Sequence, residues 1–229
     1  RFKRSMSEIF LDTETTGLSF QDGHRIVEIA CIETKDLIST GKVFHQLINP
    51  ERDVTKDALA VHGHSNEFLK NKKKFSDISE EFLNFIDGKK IIIHNAKFDL
   101  GFLNNELKIC NKKKIEESNV IDSLEIARAK FPGASNSLDA LCKRYNIDLS
   151  RRKKHNALLD CELLREVYIN ILEQKEPKLF VPNVDKEEIS LRKNKITRKN
   201  YCKNVVKIDE KQLNLHNNFI KKELKKNYF

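Results

Sequence analysis

Glu8-Ile9-Phe10-Leu11-Asp12-Thr13-Glu14 sets an apolar triplet directly before two carboxylates, and its reading decides the fold. Residues 8–12 are expected to form a short buried strand. Side chains alternate across a strand, so Asp12 and Glu14 point to one side and Thr13 to the other. Two carboxylates so close repel unless a cation sits between them, and oxygen-only ligands suit a hard ion such as Mg²⁺ or Mn²⁺. Taken alone, the pair fits a solvated loop better than a metal site.

Outward from this strand, apolar runs at Ile26 to Ile32 (with Glu28 inside) and Val43 to Ile48 read as two more strands. The second ends at Asn49-Pro50, where proline stops a strand. Three strands so close in sequence favour an antiparallel meander. Ile78, Phe82, Phe85 and Ile86 fall at helical spacing within 75–86, with Gly88 as a stop. Ile91-Ile92-Ile93 then reads as a strand, 98–107 as a helix, Val120-Ile121 as a strand and 124–130 as a helix ended by Phe131-Pro132-Gly133. Ser137 is expected to cap a helix burying Leu138, Leu141, Cys142 and Tyr145, and 157–172 forms a long amphipathic helix. The order predicts an α/β fold: a mixed sheet of three antiparallel strands followed by parallel ones, flanked by helices. The texture turns Lys- and Asn-rich at Glu173, which places one domain at 7–175 and a linker with a docking tail at 176–229.

Two further segments carry carboxylates. His94-Asn95-Ala96-Lys97-Phe98-Asp99 follows the Ile-rich strand, and strand ends in α/β folds are where ligands collect. Asp99, early in a helix, also suits the helix dipole with no metal at all. In His155-Asn156-Ala157-Leu158-Leu159-Asp160, Asp160 lies among aliphatic residues that face a core, where an unpaired charge is costly. His155 stands just before that helix, after the basic run Arg151 to Lys154; alone, it reads as a surface histidine.

The 229 residues are 39% hydrophobic with a net charge of +9, a balance that favours polyanionic partners or simply a solvated Lys-rich surface. Five scattered cysteines (Cys31, Cys110, Cys142, Cys161, Cys202) without a CxxC pair argue for free thiols in a reducing cytoplasm, not disulfides or zinc. No apolar run approaches the ~20 residues that span a bilayer. The basic Arg1-Phe2-Lys3-Arg4 has no apolar core behind it, so no secretion signal is expected, and Met6 is one candidate for the native start.

Asp12/Glu14, Asp99 and Asp160 with His155 resemble, in order, the three motifs of the DEDDh exonuclease superfamily. The strings Leu11-Asp12-Thr13-Glu14-Thr15-Thr16-Gly17-Leu18, Ile93 to Asp99, and Phe131-Pro132-Gly133 followed by Asn136 to Cys142 are most similar to its polymerase III epsilon-subunit branch. The resemblance covers roughly residues 8–172. It implies a ribonuclease H-like fold and a 3′→5′ exonuclease that releases 5′-mononucleotides from DNA. It also implies two divalent cations, Mg²⁺ or Mn²⁺, held by Asp12, Glu14, Asp99 and Asp160, with His155 as general base. By the same resemblance Asp12, Glu14, Thr15, Thr16, Gly17, Asp57, His62 and Asp160 meet the substrate. Asp57 stands where epsilon subunits have a glutamate, one carbon longer. Phe98 and Phe102 either stack on a base or fill the core.

Epsilon subunits tether the nuclease to the polymerase through the segment after the catalytic domain. Val205, Val206 and Ile208, then Leu213, Leu215, Phe219, Ile220 and Leu224, suit a strand and a helix that docks on the polymerase alpha subunit. A disordered basic tail that adds affinity for DNA is the alternative. Gln174 with Leu179-Phe180 loosely resembles a sliding-clamp peptide, and a small theta-type subunit is a further partner that the family implies. Two rival functions remain at this point: an enzyme that trims RNA or short oligonucleotides, and a non-catalytic DNA-binding subunit.

Overall fold

The computed structural model describes residues 7–150, 152, 154–172 and 209–223, with the backbone alone for 220–223. The chain divides into two units, Arg1–Pro177 and Lys178–Phe229. The first holds a five-stranded sheet of β1 (Ser7–Thr15), β2 (Ile26–Lys35), β3 (Ile38–Leu47), β4 (Lys90–Ile93) and β5 (Val120–Asp122), in the order β3-β2-β1-β4-β5. β1, β2 and β3 pair antiparallel, and β4 and β5 then add parallel to β1. The expected mixed sheet is what forms.

Strand alternation sorts the core into two layers. Ile9 and Leu11 face α3 (Phe75–Ile86) and α4 (Ala96–Ile109), meeting Phe82, Leu103 and Leu107 there. Phe10, Ala30 and Ile92 face α7 (Ala157–Ile171), meeting Cys161, Leu164 and Tyr168. A third cluster joins α7 to α5 (Ser123–Lys130) and α6 (Leu138–Arg144) through Ala127, Leu141 and Leu163. Ser137 caps α6 as expected, its hydroxyl accepting from Ala140 N at 3.2 Å. The four cysteines among the described residues are free. No described helix is long and apolar enough to cross a membrane.

Several boundaries differ from expectation. β3 begins at Ile38 rather than Val43, because its first half is exposed and carries no apolar run. A tight turn at Asp36 and Leu37, both with positive φ (52° and 66°), makes this possible. The 51–74 stretch folds into two short helices, α1 (Lys56–His62) and α2 (Asn66–Lys70), capped by Thr55 and Ser65. His62 therefore ends a helix. In the second unit α8 (Glu210–Glu223) leaves Leu213, Leu215 and Phe219 at least half exposed. Gln174, Leu179, Phe180, Val205, Val206, Ile208, Leu224 and Cys202 lie outside the described residues.

Glu106 on α4, 1% exposed, receives both Arg25 Nε (2.6 Å) and Arg25 Nη2 (2.7 Å), tying α4 to the start of β2. Breaking a buried pair strands its partner, so Glu106→Ala is expected to cost about 3 kcal/mol in urea unfolding. A loss below about 1 kcal/mol would show that Arg25 finds solvent without penalty.

Candidate active site

β4 pairs with β1 only from Glu8 to Phe10, so the second half of β1 runs on past its parallel neighbour. The first turn of α4 meets that exposed edge. Asp99, 3% exposed, accepts from Thr13 N at 3.1 Å and from Thr13 Oγ1 at 2.7 Å. Asp12 and Glu14 share the parity of Phe10 and face α7, whose first turn carries the buried Asp160. Residues 148 positions apart in the chain thus meet at the end of the central strand.

Glu14, His155 and Asp160 each offer one ligand atom, all within 4.8 Å of one another. His155 is exposed, with Nδ1 3.6 Å from Asp160 Oδ2, and its N–H donates to Val61 O at 3.2 Å. Asp12 and Asp99 lie outside that trio, but both belong to the same field of charge. Burial pushes the Asp12 carboxyl well above its ordinary value, and Asp99, Asp160 and Glu14 push it further. Burial, then Asp160 and Glu28, lifts Glu14 to about 8. Burial lifts Asp99 to about 7 against the pull of the Thr13 bonds. Such a cluster is short of positive charge, and its hard oxygen donors fit a divalent cation.

The described cation nearest to meeting that need is Arg152. Its Nε and Nη2 donate to Asp160 Oδ1 (2.6 Å) and Oδ2 (2.8 Å), Nη2 also reaches His155 Nδ1 (2.8 Å), and Nη1 binds Asp139 on α6. Arginine only donates, so Nδ1 is the acceptor in this arrangement and the ring hydrogen sits on Nε2. The basic run Arg151 to Lys154 gave the one hint of this role, without saying which member folds back.

Beside the carboxylates lies a cavity of about 400 Å³, walled by Thr13, Glu14, Thr15, Gly17, Leu18, Asp57, His62 and Phe98 among others. A Cβ on Gly17 would lie 2.4 Å from the His24 ring, so any larger residue here must displace that ring. Thr15 Oγ1 donates to Gly17 O at 2.7 Å. Thr16 is fully buried, its hydroxyl 2.9 Å from His24 Nδ1. Asp57 is exposed in the first turn of α1. His62 is buried; its Nδ1 accepts from His64 N at 3.0 Å, and its Nε2 has no hydrogen-bond partner among the described residues. Burial, with His64 beside it, lowers His62 to about 4, so it is neutral at pH 7. Phe98 is half-buried on the cavity wall, whereas Phe102 is a core residue, 5.0 Å from it between ring centroids. His94 serves structure: its ring nitrogens meet Ser123 Oγ and Asn136 O, each at 2.9 Å.

The family model described as an exonuclease of the RNase T type matches residues 9–168. The DNA polymerase III subunit epsilon of Rickettsia felis is 45% identical over 225 residues, 96% of this chain and 98% of that protein. The Escherichia coli epsilon subunit is 45% identical over 170 residues, 71% of this chain and 70% of its own length. Among solved structures, Exonuclease X in complex with 5′ overhanging duplex DNA matches with a TM-score of 0.57 and 25% identity, over 73% of this chain and 92% of its own. The nuclease domain of 3′hExo, a DEDDh family member bound to rAMP, has a TM-score of 0.65 at 14% identity, over 76% of this chain and 94% of its own. That second likeness is one of fold.

Proposed function

Because this chain belongs to the exonuclease family, in its polymerase III epsilon-subunit branch, we propose that it is the metal-dependent proofreading 3′→5′ exonuclease of a replicative polymerase. The observation that carries the reading is the convergence of Glu14, Asp160 and His155 beside Asp12 and Asp99. Asp12, Glu14, Asp99 and Asp160 are the residues to hold two divalent cations, Mg²⁺ or Mn²⁺. When bound, such ions acidify water and neutralise charge on the attacking and leaving oxygens of a phosphodiester.

The chain's own residues do the rest. His155 accepts the proton of the attacking water at Nδ1, the nitrogen turned towards Asp160, once Arg152 yields it. The neutral His62, its ring set against the Thr15 main chain, walls the cavity that would take the terminal nucleotide, and Phe98 gives its base an apolar wall. Asp57 and the main chain of Thr15 and Gly17 line the same cavity, while Thr16 holds the Gly17 turn from behind through His24. A cavity sized for one nucleotide takes a frayed 3′ end more readily than a paired one, because a mismatch costs less to unstack. Proofreading selectivity follows without reading any base.

The exposed apolar residues of α8 suit docking on the polymerase alpha subunit. A theta-type subunit and the sliding clamp are the further partners this reading implies, and a cytoplasmic location goes with it. The test is a 5′-labelled single-stranded DNA oligonucleotide and its RNA equivalent, each incubated with Mg²⁺, with Mn²⁺ and with EDTA. A ladder of shortening DNA that EDTA abolishes is expected. A strong preference for RNA would favour a trimming enzyme instead, and no degradation of either would favour a non-catalytic subunit.

A further inference from the structure

Glu28 is fully buried on β2, and the chemistry above gives it no part. Burial alone would raise its pKa, yet bonds from His45 and His64 hold it down to about 2. An ionised carboxylate only accepts, so each partner must donate. Oε1 receives His45 Nε2 at 2.7 Å and Asn156 Nδ2 at 3.0 Å, and Oε2 receives His64 Nε2 at 2.8 Å.

Each of two partners leads to a different side of the active site. Asn156 caps α7, its Oδ1 accepting from Leu159 N at 3.1 Å, and it lies between His155 and the turn that carries Asp160. His64 stacks on His62 at 4.9 Å between centroids, and its N–H donates to His62 Nδ1. Glu28 itself pairs with Glu14 in the β1–β2 register. Resting on the exonuclease reading, we propose that Glu28 is a positioning residue that holds the nucleotide-facing His62 and the base-bearing start of α7 in one fixed relation. Reacting groups misplaced by about 1 Å lose on the order of 10²-fold in rate, which sets the scale of its effect.

Glu28→Gln keeps the volume but turns amide hydrogens towards a donor. His64→Phe keeps the stack and removes one donor. Asn156→Ser keeps the cap and removes another. Each variant is assayed on single-stranded DNA at a temperature where circular dichroism shows it folded. Glu28→Gln is expected to lower kcat about 10- to 100-fold and to raise KM several-fold. His64→Phe should act mainly on KM and Asn156→Ser mainly on kcat, and neither should add its effect in the Glu28→Gln background. A purely structural role would lower stability and leave kcat and KM of the folded protein unchanged. Glu28→Gln kinetics within twofold of wild type, or double variants whose effects multiply, would overturn the inference. Should Glu28→Gln not fold, the contrast between His64→Phe and Asn156→Ser decides alone. Hydrogen exchange reads the same link without turnover: Asn156→Ser should speed exchange of the 61–64 amides as well as those at 155–160. If wild type does not shorten DNA but that exchange pattern appears, the exonuclease reading fails, the catalytic positioning role falls with it, and only the physical link through Glu28 stands. Active wild type without the pattern or the kinetic split sinks the positioning role alone.

Discussion

Asp12→Asn is expected to cut 3′ nucleotide removal by about 10³-fold or more while making the metal-free protein more stable. The rate follows from losing several kcal/mol of transition-state stabilisation, at about 1.4 kcal/mol per tenfold. The stability follows from the charge cluster. Glu14 titrates at about 8 in the fold against an ordinary 4.5, so its folded state prefers the proton. Metal-free stability must then fall as pH rises from near 4.5 through 8, because the unfolded chain gives up that proton first. Removing the Asp12 charge relieves part of the repulsion and should return about 1–2 kcal/mol near pH 8, with less gain near pH 5. Urea midpoints in EDTA at those two pH values measure it. Saturating Mg²⁺ or Mn²⁺ should flatten the slope for wild type, since an ion that binds only the folded state stabilises it. An Asp12→Asn protein that is inactive but no more stable at pH 8 would show that the carboxylates do not repel as described.

His155→Ala should be slower by about 10²- to 10⁴-fold in single-turnover cleavage, the usual worth of a positioned general base. Its affinity for single-stranded DNA and for Mn²⁺ should change little, because the four carboxylates and the His62 wall remain. This separates it from the Asp12 variant, which loses metal as well as rate. A rate within tenfold of wild type would mean that another group takes the proton.

Much of this architecture was legible because apolar spacing reports burial. Phe10 against Asp12 and Glu14 already announced one buried face ending in carboxylates, and the stripe of α7 announced its partner. α1 and α2 were missed because short exposed helices carry little periodic apolar signal, and the first half of β3 for the same reason. The bond from Thr13 to Asp99 spans 86 positions, and no local pattern encodes it. Arg152 was hidden in a run of four basic residues of equal appearance. Glu28 left a sharper trace: a charge inside a buried strand must find donors, and that need could have been followed to histidines on adjoining segments.

One guanidinium group holds both oxygens of Asp160 and the basic nitrogen of His155, and the same Nη2 serves the two. Displacing that side chain therefore uncovers Asp160 and His155 Nδ1 together. On the proposed reading, one departing guanidinium would bare a carboxylate for the cation and the nitrogen that takes the proton in the same movement, so a single trigger could arm both halves of the chemistry.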